Sequence, residues 1–243
     1  MAENIAKRAR YGDLFRLGNH LLLCGDSMKP ESYKRLMGNE VADMCFTDPP
    51  YGVSYASNMR GEKFDMIKND HTILDFFKFV KEYNKGFFFC FCSVPSLQPM
   101  LSAFSKYFKL QNMIVWDKKE NSMGDLKSSF GINYELALVA NENKKNLVLK
   151  RCGSIWCISR GSTKGYLHPT QKPVALAEFA IRRCTQNREL VLDMFGGSGT
   201  TLLACENTGR RCRMIELDEH YCDVIIHRWE ALTNQKAELV CQK

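Results

Sequence analysis

Short apolar runs alternate with stretches of helical periodicity along most of the chain. Such runs, bounded by polar or turn-forming residues, predict buried strands, and the amphipathic stretches between them predict helices. Strands are predicted at residues 19–23, 41–46, 86–91, 110–115, 136–140, 190–192 and 211–215. Helices are predicted near residues 30–37, 74–83, 96–107, 174–185, 199–207 and 219–232. This alternation favours an α/β fold, with a mostly parallel sheet covered by helices on both faces.

The tetrapeptide Asp48-Pro49-Pro50-Tyr51 follows the second predicted strand and carries chemistry suited to the amino group of a base. Such an amino group is a poor nucleophile, because its lone pair is delocalised into the ring. The Asp48 carboxylate and the Pro49 carbonyl can accept both N–H groups and direct the lone pair at a methyl donor. Pro50 holds that carbonyl extended, and Tyr51 offers a flat face to a base taken out of the duplex. Since these residues also form ordinary turns, the tetrapeptide alone leaves the two interpretations about even.

A glycine-rich turn follows the predicted strand 190–192 and opens a helix: Phe195, Gly196, Gly197, Ser198, Gly199 and Thr200. Glycines let the backbone approach a nucleotide, and a helix N-terminus favours a carboxylate. Glu216 follows the next predicted strand, about 20 residues beyond the first glycines, where a doubly wound fold places a carboxylate on a ribose hydroxyl. A dehydrogenase would use the same parts for NAD, but that interpretation leaves the tetrapeptide unexplained.

Two further segments lie at strand and helix junctions. One precedes helix 174–185 and reads His168-Pro169-Thr170-Gln171-Lys172-Pro173, where a proline at the helix start is a sufficient structural explanation. The other ends the first predicted strand and reads Cys24-Gly25-Asp26-Ser27. Either Asp26 or Ser27 could cap the helix that follows, so a capping role and a ligand-binding role are about equally supported.

In their order along the chain, these motifs resemble the beta class of S-adenosylmethionine-dependent DNA amino-methyltransferases. The tetrapeptide precedes the glycine turn, and the resemblance covers about residues 14–229. It implies a Rossmann-like sheet of seven strands, one of them antiparallel, with Lys172 at the cofactor's carboxylate and Asp26 at its adenine ring. The cofactor contacts that it implies are Asp26, Ser27, Asp48, Lys172, Phe195, Gly196, Gly197, Ser198, Gly199, Thr200, Glu216 and Leu217.

The resemblance predicts methyl transfer to a flipped base, most often adenine at N6 when the tetrapeptide begins with Asp. Cytosine at N4 is the alternative base. RNA and protein-glutamine methyltransferases are less consistent with the chain, since they usually carry the glycine motif first. A non-catalytic DNA-binding regulator is the alternative from another class, and the complete set of motifs argues against it.

The distribution of charge along the chain predicts which residues would contact DNA. The formal net charge is +7, of which +4 lies between residues 117 and 165, the position of a short target-recognition region in the family. The predicted phosphate contacts there are Lys150, Arg151, Arg160 and Lys164, with Arg60 and Lys63 as further candidates in a polar loop beyond the tetrapeptide. A solvated surface and an ordinary loop are the structural alternatives.

Length and composition indicate one domain over residues 1–243. No apolar run approaches the roughly 18 residues that span a membrane, and a cytosolic protein is expected. The 11 cysteines show neither a zinc pattern nor a disulfide framework and are expected to be reduced core residues, so no metal is predicted. Double-stranded DNA is the expected partner. A homodimer and a cognate restriction endonuclease are partners that the resemblance allows.

Overall fold

The computed structural model describes residues 5–50, 76–119, 130–160 and 171–241 of the chain. The strands within these residues are β1 (Leu14–Leu17), β2 (His20–Cys24), β3 (Ala42–Thr47), β4 (Asn84–Cys92), β5 (Asn112–Asp117), β6 (Tyr134–Ala140), β7 (Ile155–Cys157), β8 (Leu190–Asp193), β9 (Arg211–Glu216) and β10 (Glu238–Cys241). The helices are α1 (Pro30–Met37), α2 (Phe77–Tyr83), α3 (Leu97–Phe104), α4 (Val174–Cys184), α5 (Thr200–Thr208) and α6 (Glu219–Thr233). Every predicted strand and helix is present, although the first two residues of predicted helix 74–83 lie outside the described residues.

The strands form a single sheet in the order β10-β1-β2-β9-β8-β3-β4-β6-β5-β7. The seven predicted strands make up its centre as one continuous block. The predicted number is nevertheless wrong for the whole sheet, because β1 and β10 extend one edge and β7 extends the other. These added strands have only three or four residues each, so they are too short to show a diagnostic alternation in the sequence.

The central block is mostly parallel. The pairs β2–β9, β9–β8, β8–β3 and β3–β4 all run parallel, whereas β6 is antiparallel to both of its neighbours, β4 and β5. Within this block, the single antiparallel strand expected from the family resemblance is therefore confirmed; outside it, β1 is also antiparallel to its neighbours β2 and β10. A Rossmann-like α/β fold class is confirmed with it.

Helices cover both faces of the sheet, and β4 shows how the sequence produces this arrangement. Its side chains alternate between two hydrophobic cores, because successive residues of a strand point to opposite faces. Phe87, Phe89 and Phe91 pack in the core that contains α4, α5 and α6. Phe88 and Cys90 pack in the core that contains α1, α2 and α3. The continuous apolar run of β4 thus reflects burial on both faces rather than a helix.

The chain reverses its winding direction between β3 and β8, which are neighbours in the sheet. From β3 it continues through α2 to β4 on one side, and from β8 it continues through α5 to β9 on the other. The two connecting helices lie on opposite faces of the sheet. Open α/β sheets bind their ligands at the carboxyl ends of the strands where the winding reverses, and here these are the ends of β3 and β8.

Two predictions from composition concern the whole molecule. Among the described residues, no helix combines the length and the apolar character needed to cross a membrane. Eight of the ten cysteines whose side chains the structure describes are buried free thiols, as predicted. Cys152 and Cys157 are exposed, so the expectation of core positions is wrong for these two.

Candidate active site

The tetrapeptide and the glycine turn meet at one edge of the sheet. β3 and β8 pair in parallel, with Met44 opposite Val191 and Cys45 opposite Leu192. Asp48 follows β3 directly, and the glycine turn begins shortly after β8, so both leave the sheet at the carboxyl edge. The prediction that both turns lie at strand carboxyl ends is therefore confirmed.

A hydrogen-bonded link joins the two turns. The Thr47 hydroxyl donates to Asp193 Oδ1 (2.9 Å) and accepts from the Met194 amide (3.3 Å), and the Phe195 amide also donates to Asp193 Oδ1 (3.1 Å). Asp193 is buried, and burial raises the pKa of its carboxyl to about 7. Sequence reasoning missed this pair, although Asp193 stands directly between the strand and the glycine turn. The link fixes the start of the glycine turn relative to the residue that precedes Asp48.

Lys172 lies beside Asp48. Its buried ammonium group pairs with Asp48 Oδ2, lies 3.0 Å from Glu135 Oε2 and stands 4.6 Å from the centre of the Phe91 ring. Burial alone would lower the pKa of Lys172, but the Asp48 and Glu135 carboxylates outweigh it and raise this pKa above its usual value. The predicted contact of Lys172 with a cofactor carboxylate stays a prediction, and the observed ion pairs favour a role beside Asp48.

Glu135 extends this arrangement, and no sequence motif predicted it. Its Oε1 is 2.7 Å from Lys118 Nζ, so Asp48, Lys172, Glu135 and Lys118 form a row of alternating charges, called here the ion-pair row. Burial alone would raise the pKa of Glu135, but the ammonium groups of Lys172 and Lys118 outweigh it and lower the pKa to about 2. A sequence signal did exist, because Glu135 is an acidic residue at the start of an otherwise apolar strand.

The glycine turn uses its glycines in two ways. A Cβ on Gly196 would stand 2.8 Å from Met214 side-chain atoms, and one on Gly199 would stand 2.9 Å from Ile225. These two positions therefore need glycine for close packing. Gly197 shares a positive φ (+51°) with Gly199 (+84°) but differs in its surroundings: apart from its chain neighbours, no heavy atom of the described residues lies within 4 Å of the position that its Cβ would take. Its open side fits the close approach of a nucleotide-like cofactor to the backbone.

Glu216 lies against the glycine turn. Its carboxylate accepts hydrogen bonds from the Gly197 amide (2.6 Å) and the Asp218 amide (2.9 Å). Burial is the main cause that raises the pKa of Glu216 above its usual value. A carboxylate has about four acceptor positions. Glu216 can therefore hold the turn and still accept a hydrogen bond from a ligand hydroxyl.

Three other predicted cofactor residues hold the turn in place. The Arg228 guanidinium donates to the Ser198 carbonyl, and the Thr200 hydroxyl donates to the Lys172 carbonyl (3.0 Å). Phe195 packs edge-on against Phe76, with 5.2 Å between ring centres. Thr200 thereby connects α5 directly to the segment that carries Lys172.

Asp26, Ser27 and Leu217 lie at the same edge, because β2 pairs in parallel with β9. The α1 N-cap is Lys29, so the alternative in which Asp26 or Ser27 caps this helix is wrong. Asp26 Oδ1 instead accepts from the Met28 amide (2.8 Å) and stabilises the turn before the helix. Leu217 is 59% exposed next to Glu216, which leaves its apolar side chain accessible to a flat ring.

The predicted phosphate contacts are separated in the structure. Lys150 and Arg151 are exposed on the segment that leads into β7. Just before them, the Val148 amide donates to the Arg183 carbonyl (2.7 Å) at the end of α4, near the amino edge of the sheet. Arg160 instead follows the carboxyl end of β7, which is parallel to β5, and so lies at the edge that carries Asp48.

The remaining predicted site residues lie outside the described residues: Tyr51, Arg60, Lys63 and Lys164. The same holds for His168, Pro169 and Thr170. Within the predicted recognition region 117–165, residues 134–140 form β6 inside the central sheet. The region is therefore partly built into the sheet, and its part in target recognition stays a prediction.

Comparisons with known proteins agree with this site. A family described as DNA methylase matches residues 42–227. The chain is similar to "Type II methyltransferase M2.DpnII" of Streptococcus pneumoniae, with 27% identity over 239 residues that cover 84% of this chain and 85% of the relative. It is also similar to "DNA adenine methyltransferase YhdJ" of Escherichia coli (strain K12), with 24% identity over 271 residues that cover 92% and 87%.

A solved structure resembles the fold. The crystal structure of the M1.HpyAVI–SAM complex superposes with a TM-score of 0.64 at 25% sequence identity. The superposition covers 85% of this chain and 98% of the solved chain. The likeness therefore extends over most of this chain and nearly all of the solved one.

Proposed function

We propose that this chain, which belongs to the DNA methylase family, methylates the N6 amino group of adenine in double-stranded DNA with S-adenosylmethionine as the donor. The family match covers residues 42–227, which include both the tetrapeptide and the glycine turn. One observation carries the proposal: the Asp48 turn and the glycine turn meet at the β3 and β8 strand ends, joined by the bond from Thr47 to Asp193. A methyl acceptor and a methyl donor held at these two turns would lie next to each other.

Asp48 is proposed to accept a hydrogen bond from the target amino group. A carboxylate has about four acceptor positions, so Asp48 can pair with Lys172 and still accept an amino N–H. The Pro49 carbonyl is proposed as the second acceptor, and Tyr51 as the face on which the flipped base stacks. The two fixed acceptors then bind both amino hydrogens and orient the amino group so that its nitrogen lone pair points at the methyl donor.

The cofactor is proposed to lie along the glycine turn and the ends of β2 and β9. Gly197 gives it access to the backbone, Glu216 accepts from a ribose hydroxyl, and Asp26 and Leu217 contact the adenine ring. When bound, S-adenosylmethionine would supply a methyl group to the amino lone pair; its carbon–sulfur bond would break with the electron pair left on sulfur, and one amino proton would pass to water. The residues of this chain bind, orient and shield the two reactants.

Adenine is proposed as the target because the tetrapeptide begins with Asp and because the similar Escherichia coli protein is named as an adenine methyltransferase. DNA is the partner that this reaction requires. The predicted homodimer and the predicted cognate restriction endonuclease stay predictions.

A mass-spectrometric assay tests the proposal. The purified chain would be incubated with DNA and with S-adenosylmethionine carrying a deuterated methyl group, and the DNA would then be digested to nucleosides. The expected product is deuterated N6-methyldeoxyadenosine. Deuterated N4-methyldeoxycytidine would replace the adenine assignment with cytosine, and unlabelled nucleosides alone would refute DNA methylation by this chain.

A further inference from the structure

The ion-pair row contains a carboxylate with no assigned role in the reaction. Glu135 lies between two ammonium groups, with Lys172 Nζ 3.0 Å from Oε2 and Lys118 Nζ 2.7 Å from Oε1. Lys172 in turn pairs with Asp48. Glu135 is therefore one ion pair away from the proposed acceptor of the target amino group.

Glu135 is also the one member of the row that lies within a strand. It lies on β6 and is paired with Trp116 of β5, and from the next residue, Leu136, the strand pairs with β4 as well. Lys172 lies just before α4, outside any strand. Sites built on strands hold their geometry more closely than sites on connecting segments. The sheet can thus fix Glu135, and Glu135 can fix the position of the Lys172 ammonium group.

Burial makes this arrangement sensitive to charge. The Lys172 side chain is only 7% exposed, so water contributes little to its solvation. A buried ammonium group needs compensating carboxylates, and removal of one partner leaves charge uncompensated. Without Glu135, the Lys172 ammonium would be drawn entirely onto Asp48 and would compete with the target amino group for the same carboxylate.

We propose that Glu135 is a positioning residue that acts through Lys172: it shares the Lys172 ammonium with Asp48 and so keeps the Asp48 carboxylate oriented toward the target amino group. This inference rests on the proposed function, because it assigns Glu135 a part in the same reaction. It goes beyond that function in placing a determinant of turnover on β6, outside every motif of the sequence. Lys118 contributes by pairing with the second carboxylate oxygen of Glu135.

The first test compares two substitutions at opposite ends of β6. Glu135→Gln keeps the size of the side chain and removes its charge. Glu142→Gln, the matched control, removes a carboxylate that follows β6 at its other end and pairs with Lys81 near the amino edge of the sheet. Glu135→Gln should lower kcat about 10- to 100-fold, the scale of a misplacement of about 1 Å, with an unchanged Kd for S-adenosylmethionine. Glu142→Gln should keep the parent kcat.

A double-mutant cycle tests whether Glu135 acts through Lys172. In a Lys172→Met background, Asp48 and Glu135 face each other without the cation between them. Glu135→Gln should then cost no further turnover, or should restore part of it, because it removes a like charge. An equal fold-loss in both backgrounds would overturn the proposal, since it would show that Glu135 acts independently of Lys172.

The outcomes separate this inference from the proposed function. A parent protein that methylates DNA, together with a folded Glu135→Gln variant of parent kcat, would overturn the positioning role and leave the function standing. A parent protein that does not methylate DNA would overturn the function first. Should Glu135→Gln fail to fold, Lys118→Gln takes its place, because it removes the ion pair between Lys118 and Glu135 and keeps the two ion pairs of Lys172. A clear fall in kcat is expected, and a parent kcat would overturn the role.

Discussion

The two turns that meet at the β3 and β8 strand ends are held by different forces. Asp48 lies at the end of a row of partly buried ion pairs, whereas the glycine turn is held by hydrogen bonds between its backbone and the Glu216 and Arg228 side chains and by close packing at Gly196 and Gly199. The side of the methyl acceptor should therefore respond most strongly to changes of charge. The side of the methyl donor should respond most strongly to changes of shape.

The largest expected effect is on turnover at the charged side. Asp48→Asn should lower kcat by about 10²- to 10³-fold, because it weakens a fixed acceptor at the reacting amino group. The Kd for S-adenosylmethionine should stay near that of the parent, as measured by calorimetry. Asp43→Asn is the matched control, since Asp43 lies at the opposite end of β3 and is paired with Lys85 (3.2 Å). Loss of cofactor binding before turnover would contradict the separation of the two sides.

The next effect is a pH-dependent change in the free energy of unfolding. It concerns Asp193, whose hydrogen bond with Thr47 links the two turns. Burial raises the pKa of Asp193 from its usual value of 3.8 to about 7 in the folded chain. Its contribution to stability is therefore fully present below about pH 4 and is lost as the pH rises to about 7, at about 1.4 kcal/mol for each pH unit. Denaturant unfolding of Asp193→Asn and of the parent should show the variant gaining relative stability over this window. A difference independent of pH would contradict a raised pKa.

At the glycine turn, a change in side-chain size should affect stability more than a change of charge. Gly196→Ala would bring a methyl group against Met214, at an expected cost of about 1–3 kcal/mol in the free energy of unfolding. Cofactor affinity should fall with it, because the turn must shift. Gly153→Ala is the matched control, since the described residues leave open space around its Cβ position. Equal stability of the two variants in thermal unfolding would rule out close packing as the reason for Gly196.

The next loss concerns the cofactor affinity, when Glu216 keeps its shape and loses its charge. Glu216→Gln should weaken S-adenosylmethionine binding by about 1–3 kcal/mol, the scale of a hydrogen bond to a charged group. Glu216→Ala should weaken it further, because the Gly197 amide would also lose its acceptor. Calorimetry would measure both, and an unchanged Kd in Glu216→Gln would refute the proposed ribose contact.

The smallest expected effect is on DNA binding, and the structure divides the predicted contacts into two sets. Arg160→Ala should flatten the slope of log affinity against log salt by roughly 0.9, if one phosphate contact is lost. The pair Lys150→Ala and Arg151→Ala should change this slope less, because these residues precede β7 and lie farther from the edge that carries Asp48. A larger change of slope in the Lys150→Ala and Arg151→Ala variant than in Arg160→Ala would instead place the DNA along the segment that leads into β7.

The sequence was sufficient for the central block of strands, because those strands have long apolar runs that end in turn residues. The family match confirms the class that the motif order indicated. β1, β7 and β10 were missed because strands of three or four residues show no period, whereas the equally short β8 was found because the glycine turn marks its end. They are added at the edges, where pairing with a formed sheet makes short strands stable.

Only some residues of the candidate site could be predicted from the sequence. Asp48, Gly197 and Glu216 belong to local motifs, so their sequence neighbours reveal them. Glu135 and Thr47 do not, because each acts through a residue far along the chain, and only the fold brings Lys172 to Glu135 or Asp193 to Thr47. The predicted roles of Tyr51, Arg60, Lys63 and Lys164 stay predictions, since these residues lie outside the described part of the chain.

Methyl transfer to adenine through Asp48 is the central claim, and single-molecule sequencing tests it most directly. DNA would be sequenced from cells that lack other DNA methylation and express either the parent chain or Asp48→Asn. The predicted result is N6-methyladenine in a defined sequence context with the parent, and a much smaller modified fraction of the same sites with the variant at equal expression. An equal modified fraction in the Asp48→Asn cells, or a modified cytosine in place of adenine, would contradict the account.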